Sequence, residues 1–227
     1  MDSYLIYYGF TAIAVMISGA AQAFIMYTYN SNSKINNNRG IKGKEAARMI
    51  LDKHGLNSVL VTEVNGMLSD HYDPRKKTVR LSNSNYMENT ISAVAVACHE
   101  CGHAIQDKEN YLFMKIRAAL VPIVNICSYT GYISIFLGVI LGALNFIWIG
   151  IILECAMLLF QLVTLPVEFD ASRRALKEIK QNNILDSSEH KKAKRVLTAA
   201  ALTYVASVLT TLLQIARLLL MFTRRRD

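Results

Sequence analysis

The sequence predicts a mainly α-helical, polytopic membrane protein of about four spans, with a small α+β domain set between them. Three observations carry that expectation. Formal charges vanish over three long stretches, the charged residues gather into two blocks, and the first block holds short segments of strand character. Of the 227 residues 52% are hydrophobic and 19% charged, with a mean hydropathy of +0.25. A soluble domain carries about 25% charged residues, so that class is excluded. Four Cys in a chain of this length do not make a disulfide scaffold.

The first region, 1–30, is one span. No charge occurs from Ser3 to Ser33, and a crossing of a ~30 Å hydrocarbon core needs about 20 apolar residues. Tyr4 to Tyr27 satisfies that; as a leader peptide it lacks a basic start, and its apolar run is too long. Region 31–117 is a polar block with a β-meander and a helix. Glu45 to His54 reads as a short amphipathic helix stopped by Gly55. Val59 to Val64 leads into Asn65-Gly66, a strong hairpin signal, so Met67 to Tyr72 is expected to return beside it. Asp73 to Lys76 turns into a third strand, Thr78 to Leu81, and Asn89 or Thr90 caps a helix running to about Gln106.

Region 118–165 is a transmembrane hairpin. Ala118 to Val167 holds a single charge, Glu154, and is broken near Gly142 to Asn145. An ionised carboxylate there costs about 2.5–3.5 kcal/mol, so Glu154 is expected to be protonated or paired inside the bundle. Region 166–195 is a polar helix with Pro166 in its first turn. Region 196–227 is the fourth span and a basic tail, where Arg217 is expected to snorkel towards Arg224 and Arg224 to Arg226 to meet headgroups.

The net charge of +8 follows this topology. Lys34 to Arg117 contains 13 Lys and Arg, and Arg173 to Arg195 a further 8. Four spans put both blocks on one side, which the positive-inside tendency makes cytoplasmic; the expected location is the cell membrane, multi-pass. The basic residues lie in loops beside spans without interleaved aromatics, which excludes nucleic acid as a partner. The lipid bilayer is the partner the charges imply.

Chemistry concentrates in Val94 to Gln106, which contains His99-Glu100-Cys101-Gly102-His103. His99 and His103 lie about 40° apart around a helix, so both imidazoles can face one zinc ion, whose Zn–N bonds are about 2.0–2.1 Å. Glu100 is placed to take a proton from metal-bound water. Cys98 and Cys101 form a C-x-x-C pair that points about 150° away from the histidines, so it reads as two small core residues. A catalytic zinc takes three protein ligands and a water. Glu168 is the preferred third; Asp170, about 200° round the same helix, is the alternative.

Together, Leu68 to Pro74, the H-E-C-G-H-A-I-Q helix, Leu165 to Ser172 and Ala200 to Ala206 resemble the YugP-type neutral zinc metallopeptidases, over nearly the whole chain. The chain is more distantly similar to the HtpX and CAAX prenyl protease membrane enzymes. The resemblance implies a gluzincin-like domain with zinc on His99, His103 and Glu168, Glu100 as general base, and an active site near the cytoplasmic face. The distant relatives place an acidic residue four positions after the ligand glutamate, where this chain has Ser172. The carboxylate that orients an imidazole is therefore expected from Asp170, Asp70 or Asp73.

The reaction this predicts is hydrolysis of peptide bonds in membrane or membrane-proximal proteins. His71, Tyr72 and Tyr204 are the candidate oxyanion donors. The strand Thr78 to Leu81 is expected to offer an edge to an extended peptide. The alternative is a membrane scaffold in which zinc only staples helices together.

Overall fold

The computed structural model describes the backbone of residues 2–223 and the side chains of residues 8–222. The chain runs α1 (Asp2–Asn32), α2 (Gly43–Lys53), β1 (Leu60–Val64), β2 (His71–Asp73), β3 (Thr78–Ser82), α3 (Asn83–Met87), α4 (Ile91–Lys108), α5 (Leu112–Leu141), α6 (Leu144–Gln181) and α7 (Ser187–Thr223). Four helices are long and apolar enough to cross a membrane: Tyr8–Asn32, Leu112–Leu141, Leu144–Gln181 and Ser187–Phe222. The mainly helical, four-span class is what the uncharged stretches predict. The chain divides into two compact units.

The membrane unit is drawn from Met1–Gln22, Lys115–Leu165 and Thr203–Asp227. Its α5 and α6 are joined at Gly142, whose φ of +64° is the left-handed turn a glycine adopts without penalty. Ile147, Ile151, Ile215, Leu218 and Phe222 form its core. Ile126, Phe136, Ile140 and Ile152 are exposed, as side chains that meet acyl chains rather than water are. The Arg217 guanidinium donates to Thr11 Oγ1 on α1 at 2.8 Å. Arg224 to Arg226 lie outside the described residues.

The polar unit comprises Ala23–Met114 and Pro166–Leu202. Its core gathers Ile50 and Leu51 of α2, Val79 and Leu81 of β3, Val94, Cys98 and Cys101 of α4, and Ile179 of α6. Three strands lie in the order β1-β3-β2, with β1 parallel and β2 antiparallel to β3. Asn65-Gly66 therefore does not close a hairpin. The chain leaves β1 there, passes Gly66 and Leu68 at positive φ, and re-enters the sheet only at His71. The hairpin forms one connection later. Asp73 Oδ1 accepts from the backbone N–H of Arg75 and Lys76, both at 3.0 Å, and folds β2 back on β3. With neighbours on both sides β3 is central, buried at Thr78, Val79, Leu81 and Ser82, so the expected free edge at Thr78 to Leu81 does not exist.

Pro166 does not start a helix. It lies inside α6, which continues to Gln181. A proline ring removes one backbone bond, but the turns that follow are held by packing, with Val167 and Ala171 fully buried. The polar segment from Ser187 and the fourth span likewise form one helix, α7.

Candidate metal centre

Helix α4 begins where Thr90 accepts a hydrogen bond from the Ala93 N–H at 3.2 Å. Its first two turns are small and apolar, and Ile91, Ala93, Val94, Ala95 and Ala97 are all sealed from solvent. A helix packed this tightly holds the residues that follow it in fixed directions. His99 and His103 project from one face, their rings 4.8 Å apart between centroids and nearly perpendicular.

Glu168 of α6 meets them. Its Oε2 lies 3.3 Å from His99 Nε2 and 3.6 Å from His103 Nε2, and one ligand atom from each of the three residues falls within 4.8 Å of the others. Two donors at about 2.0–2.2 Å from a tetrahedral zinc stand roughly 3.3–3.6 Å apart. The two distances from Glu168 match that spacing, and two imidazoles with a carboxylate are donors that suit zinc. Glu100 is 7% exposed, and burial pushes its carboxyl above the usual range against the opposing pull of the two imidazoles.

The helices approach this closely because residue 102 is glycine. A Cβ there would lie 2.6 Å from the Ala171 carbonyl oxygen on α6. The adjoining turns fix both rings. His103 Nδ1 meets Gln106 Oε1 at 3.0 Å, and Gln106 Nε2 donates to Val167 O at 2.8 Å and to Asp170 Oδ2 at 2.9 Å. Because the amide nitrogen is committed as donor, its oxygen accepts, so His103 carries its proton on Nδ1 and turns Nε2 towards Glu168. Ser172 Oγ stands 3.2 Å from His99 Nδ1 and steadies the other ring, its hydroxyl able to donate or accept there. Gln106 is not among the residues the sequence singles out, and Ser172 stands out there only as the place where the distant relatives carry an acid. The signal for their placement was spacing: Gln106 is three residues after His103 and Ser172 four after Glu168, each on its neighbour's helix face.

The remaining candidates take other places. Asp170 accepts from Gln106, Arg173 and Arg174 and belongs to an ion-paired cluster in which Arg174 also meets Glu109 at 2.7 Å. Asp70 bonds the Ser82 N–H at 2.7 Å and Asn85 at 2.9 Å. Asp73 is spent in its turn. None of the three carboxylates bonds a histidine directly, so the expectation of a direct orienting carboxylate is replaced by Ser172 on one ring and a Gln106 bridge to Asp170 on the other. Tyr72 donates to Asp107 at 2.7 Å, an arrangement that with burial holds its phenol well above the ordinary range. His71 is exposed on β2 with Nδ1 at 2.8 Å from Ser69 O. Tyr204 belongs to the membrane unit, not to the unit that holds the histidines. Cys98 and Cys101 are fully buried, their thiols raised by desolvation, as core residues rather than reactive ones.

A family model described as "Putative neutral zinc metallopeptidase" matches residues 7–223. The chain is 42% identical over 217 residues to "Putative membrane protease YugP" of Bacillus subtilis (strain 168), covering 96% of each chain. No solved structure matches.

Proposed function

From the chain's membership of the neutral zinc metallopeptidase family, we propose that it is a membrane-embedded zinc endopeptidase. Its substrates on this reading are membrane or membrane-proximal proteins. The observation that carries the proposal is the convergence of His99, His103 and Glu168 with a buried Glu100 beside them. In this gluzincin-like reading of the H-E-x-x-H helix, His99, His103 and Glu168 hold zinc. Bound there, zinc would polarise the scissile carbonyl and bring a water to about neutral pKa.

The chain's own residues do the rest. Glu100 takes the proton from the attacking water and passes it to the leaving amine, a task suited to a carboxyl whose burial raises its proton affinity. Gln106 keeps the His103 Nδ1 protonated and its Nε2 lone pair available for the metal; on this reading the Ser172 hydroxyl accepts from His99 Nδ1 and does the same for the other ring. A structural zinc is normally closed by four protein ligands; three ligands and an adjacent acid favour catalysis over a scaffold. The polar unit faces the cytoplasm in this proposal, as the Lys and Arg of Lys34 to Arg117 and Arg173 to Arg195 favour.

The test is Glu100→Gln, purified in detergent and assayed on an unfolded protein with and without chelator. Retained zinc with a loss of cleavage of about 10²–10⁴-fold is expected. Turnover equal to the parent's would overturn the mechanism, and absence of cleavage by zinc-loaded parent protein would return the scaffold reading.

A further inference from the structure

The membrane unit contains a cavity of about 660 Å³ that the chemistry above does not use. Its lining is polar in a way its surroundings are not. Thr11, Ser18 and Gln22 are the only amide or aliphatic-hydroxyl residues of α1 between Tyr8 and Gln22, and all three line it. Their spacings of seven and four put them on one stripe within about 40°. Thr210, Gln214 and Arg217 form a second stripe on α7, at spacings of four and three, and also line the cavity. From α6 comes Glu154.

Glu154 is 6% exposed and has no hydrogen bond or ion pair among the described residues. Arg217 Nε is buried without a partner as well. Buried polar groups are normally satisfied, and acyl chains offer them nothing. Val15 and Tyr132, at 65% and 60% exposure, stand at the rim, so the cavity opens on the outside of the unit. Glu154 lies ten residues into α6, about 15 Å along the axis and so near the middle of a ~30 Å core. A lipid headgroup resides at the interface, well short of that depth. A side chain carried by another transmembrane helix reaches it directly.

We propose that this cavity is a lateral docking site for a transmembrane helix bearing a hydrogen-bond donor, basic or amide, at mid-span, with Glu154 as the acceptor that selects it. This rests on the proposed protease reading only in naming the occupant as the anchor of a membrane protein substrate; the binding itself needs no catalysis. Intramembrane polar residues pair in this way because the alternative is an unsatisfied group in hydrocarbon.

The experiment uses full-length Glu100→Gln protein in phosphatidylcholine and phosphatidylglycerol nanodiscs, with a photocrosslinking amino acid at Val15. The probes are Leu-rich helices of about 24 residues that differ only in a central Lys, Gln or Leu. The Lys and Gln helices are expected to crosslink about three- to tenfold more than the Leu helix, and Glu154→Leu to erase the difference. Equal crosslinking of all three overturns the proposal, a comparison that needs no change at Glu154. So does a preference that survives Glu154→Leu in protein that still elutes as a single species. Glu154→Leu on the parent background should leave zinc content and cleavage of a soluble unfolded substrate unchanged. If parent protein cleaves nothing while the Lys preference holds, the protease reading falls and the docking site stands; cleavage without the preference does the reverse.

Discussion

Replacing Gly102 by Ala puts one methyl group where α4 and α6 touch. The new Cβ would lie 2.6 Å from the Ala171 carbonyl oxygen and 3.1 Å from that residue's C and Cα. These are backbone atoms, so no rotamer change makes room, and ordinary contact at 3.4 Å requires a retreat of about 0.8 Å. Glu168 is less than one turn before Ala171 on the same helix, so the retreat carries its carboxylate away from the rings. Metal–ligand distances tolerate only about ±0.2 Å. The expected cost is about 1–3 kcal/mol of stability from overpacking. Zinc affinity should fall on the order of 10–100-fold, as when a group that positions a ligand is lost. Competition against a chromogenic chelator in the Glu100→Gln background reads the affinity, and thermal melting of the apo protein reads the stability. Gly19→Ala is the control, since a Cβ there meets nothing within 4 Å. Zinc affinity within twofold of the parent and an unchanged melt in Gly102→Ala would refute the close-approach argument.

Four other outcomes follow from the same geometry. Gln106→Leu removes both the acceptor for His103 Nδ1 and the donor to Asp170, and should weaken zinc by about 10–100-fold in the same chelator competition. Ser172→Ala should cost zinc affinity less, about three- to tenfold for one neutral hydrogen bond, and Ser172→Asp should exceed the parent because a charged acceptor bonds about twice as strongly. The double variant Cys98→Ala and Cys101→Ala should keep its zinc content by metal analysis, since both thiols lie in the core away from the site; loss of the metal would restore the C-x-x-C reading. Zinc at about 100 times its dissociation constant should stabilise the protein by about 2.7 kcal/mol over the chelated form, read as a melting shift that the His99→Ala variant lacks.

What the sequence made legible was whatever depends on short spacing. The spans, the helix cap at Thr90, the stop at Gly55 and the two-histidine face all follow from residues within a turn or two of one another, and the structure keeps them. The sheet was misread for the opposite reason. Asn65-Gly66 is a sound local turn signal, yet the partner of β1 is β3, more than a dozen residues on and parallel, while the hairpin goes to the turn where Asp73 supplies two extra bonds. Pro166 misled similarly, because its missing N–H is a local cost and the burial of Val167 and Ala171 that outweighs it is tertiary. Gln106 and Ser172 could be placed on the right faces by counting, but which ring each would meet depends on how closely α4 lies against α6.

That closeness also explains why the orienting groups can be neutral. Asp170 sits on α6 about 200° round from Glu168, too far to reach a ring that Glu168 faces, and it is already shared by Gln106, Arg173 and Arg174. Only an amide long enough to span from His103 to that carboxylate joins the two, and Gln106 does so while also fixing the Val167 carbonyl. On the other ring Ser172 is short, and its hydroxyl reaches His99 because Gly102 lets the backbones nearly touch. Both imidazoles are therefore oriented without placing another anion directly against them. Glu168 is left as the one carboxylate touching both rings, and Glu100, one residue from His99, meets fewer repelling charges than it would beside two directly bonded aspartates. Burial holds the Glu100 carboxyl at raised proton affinity, and Glu168 and Asp70 raise it further; the two neutral contacts to the rings add no third anion to that pair.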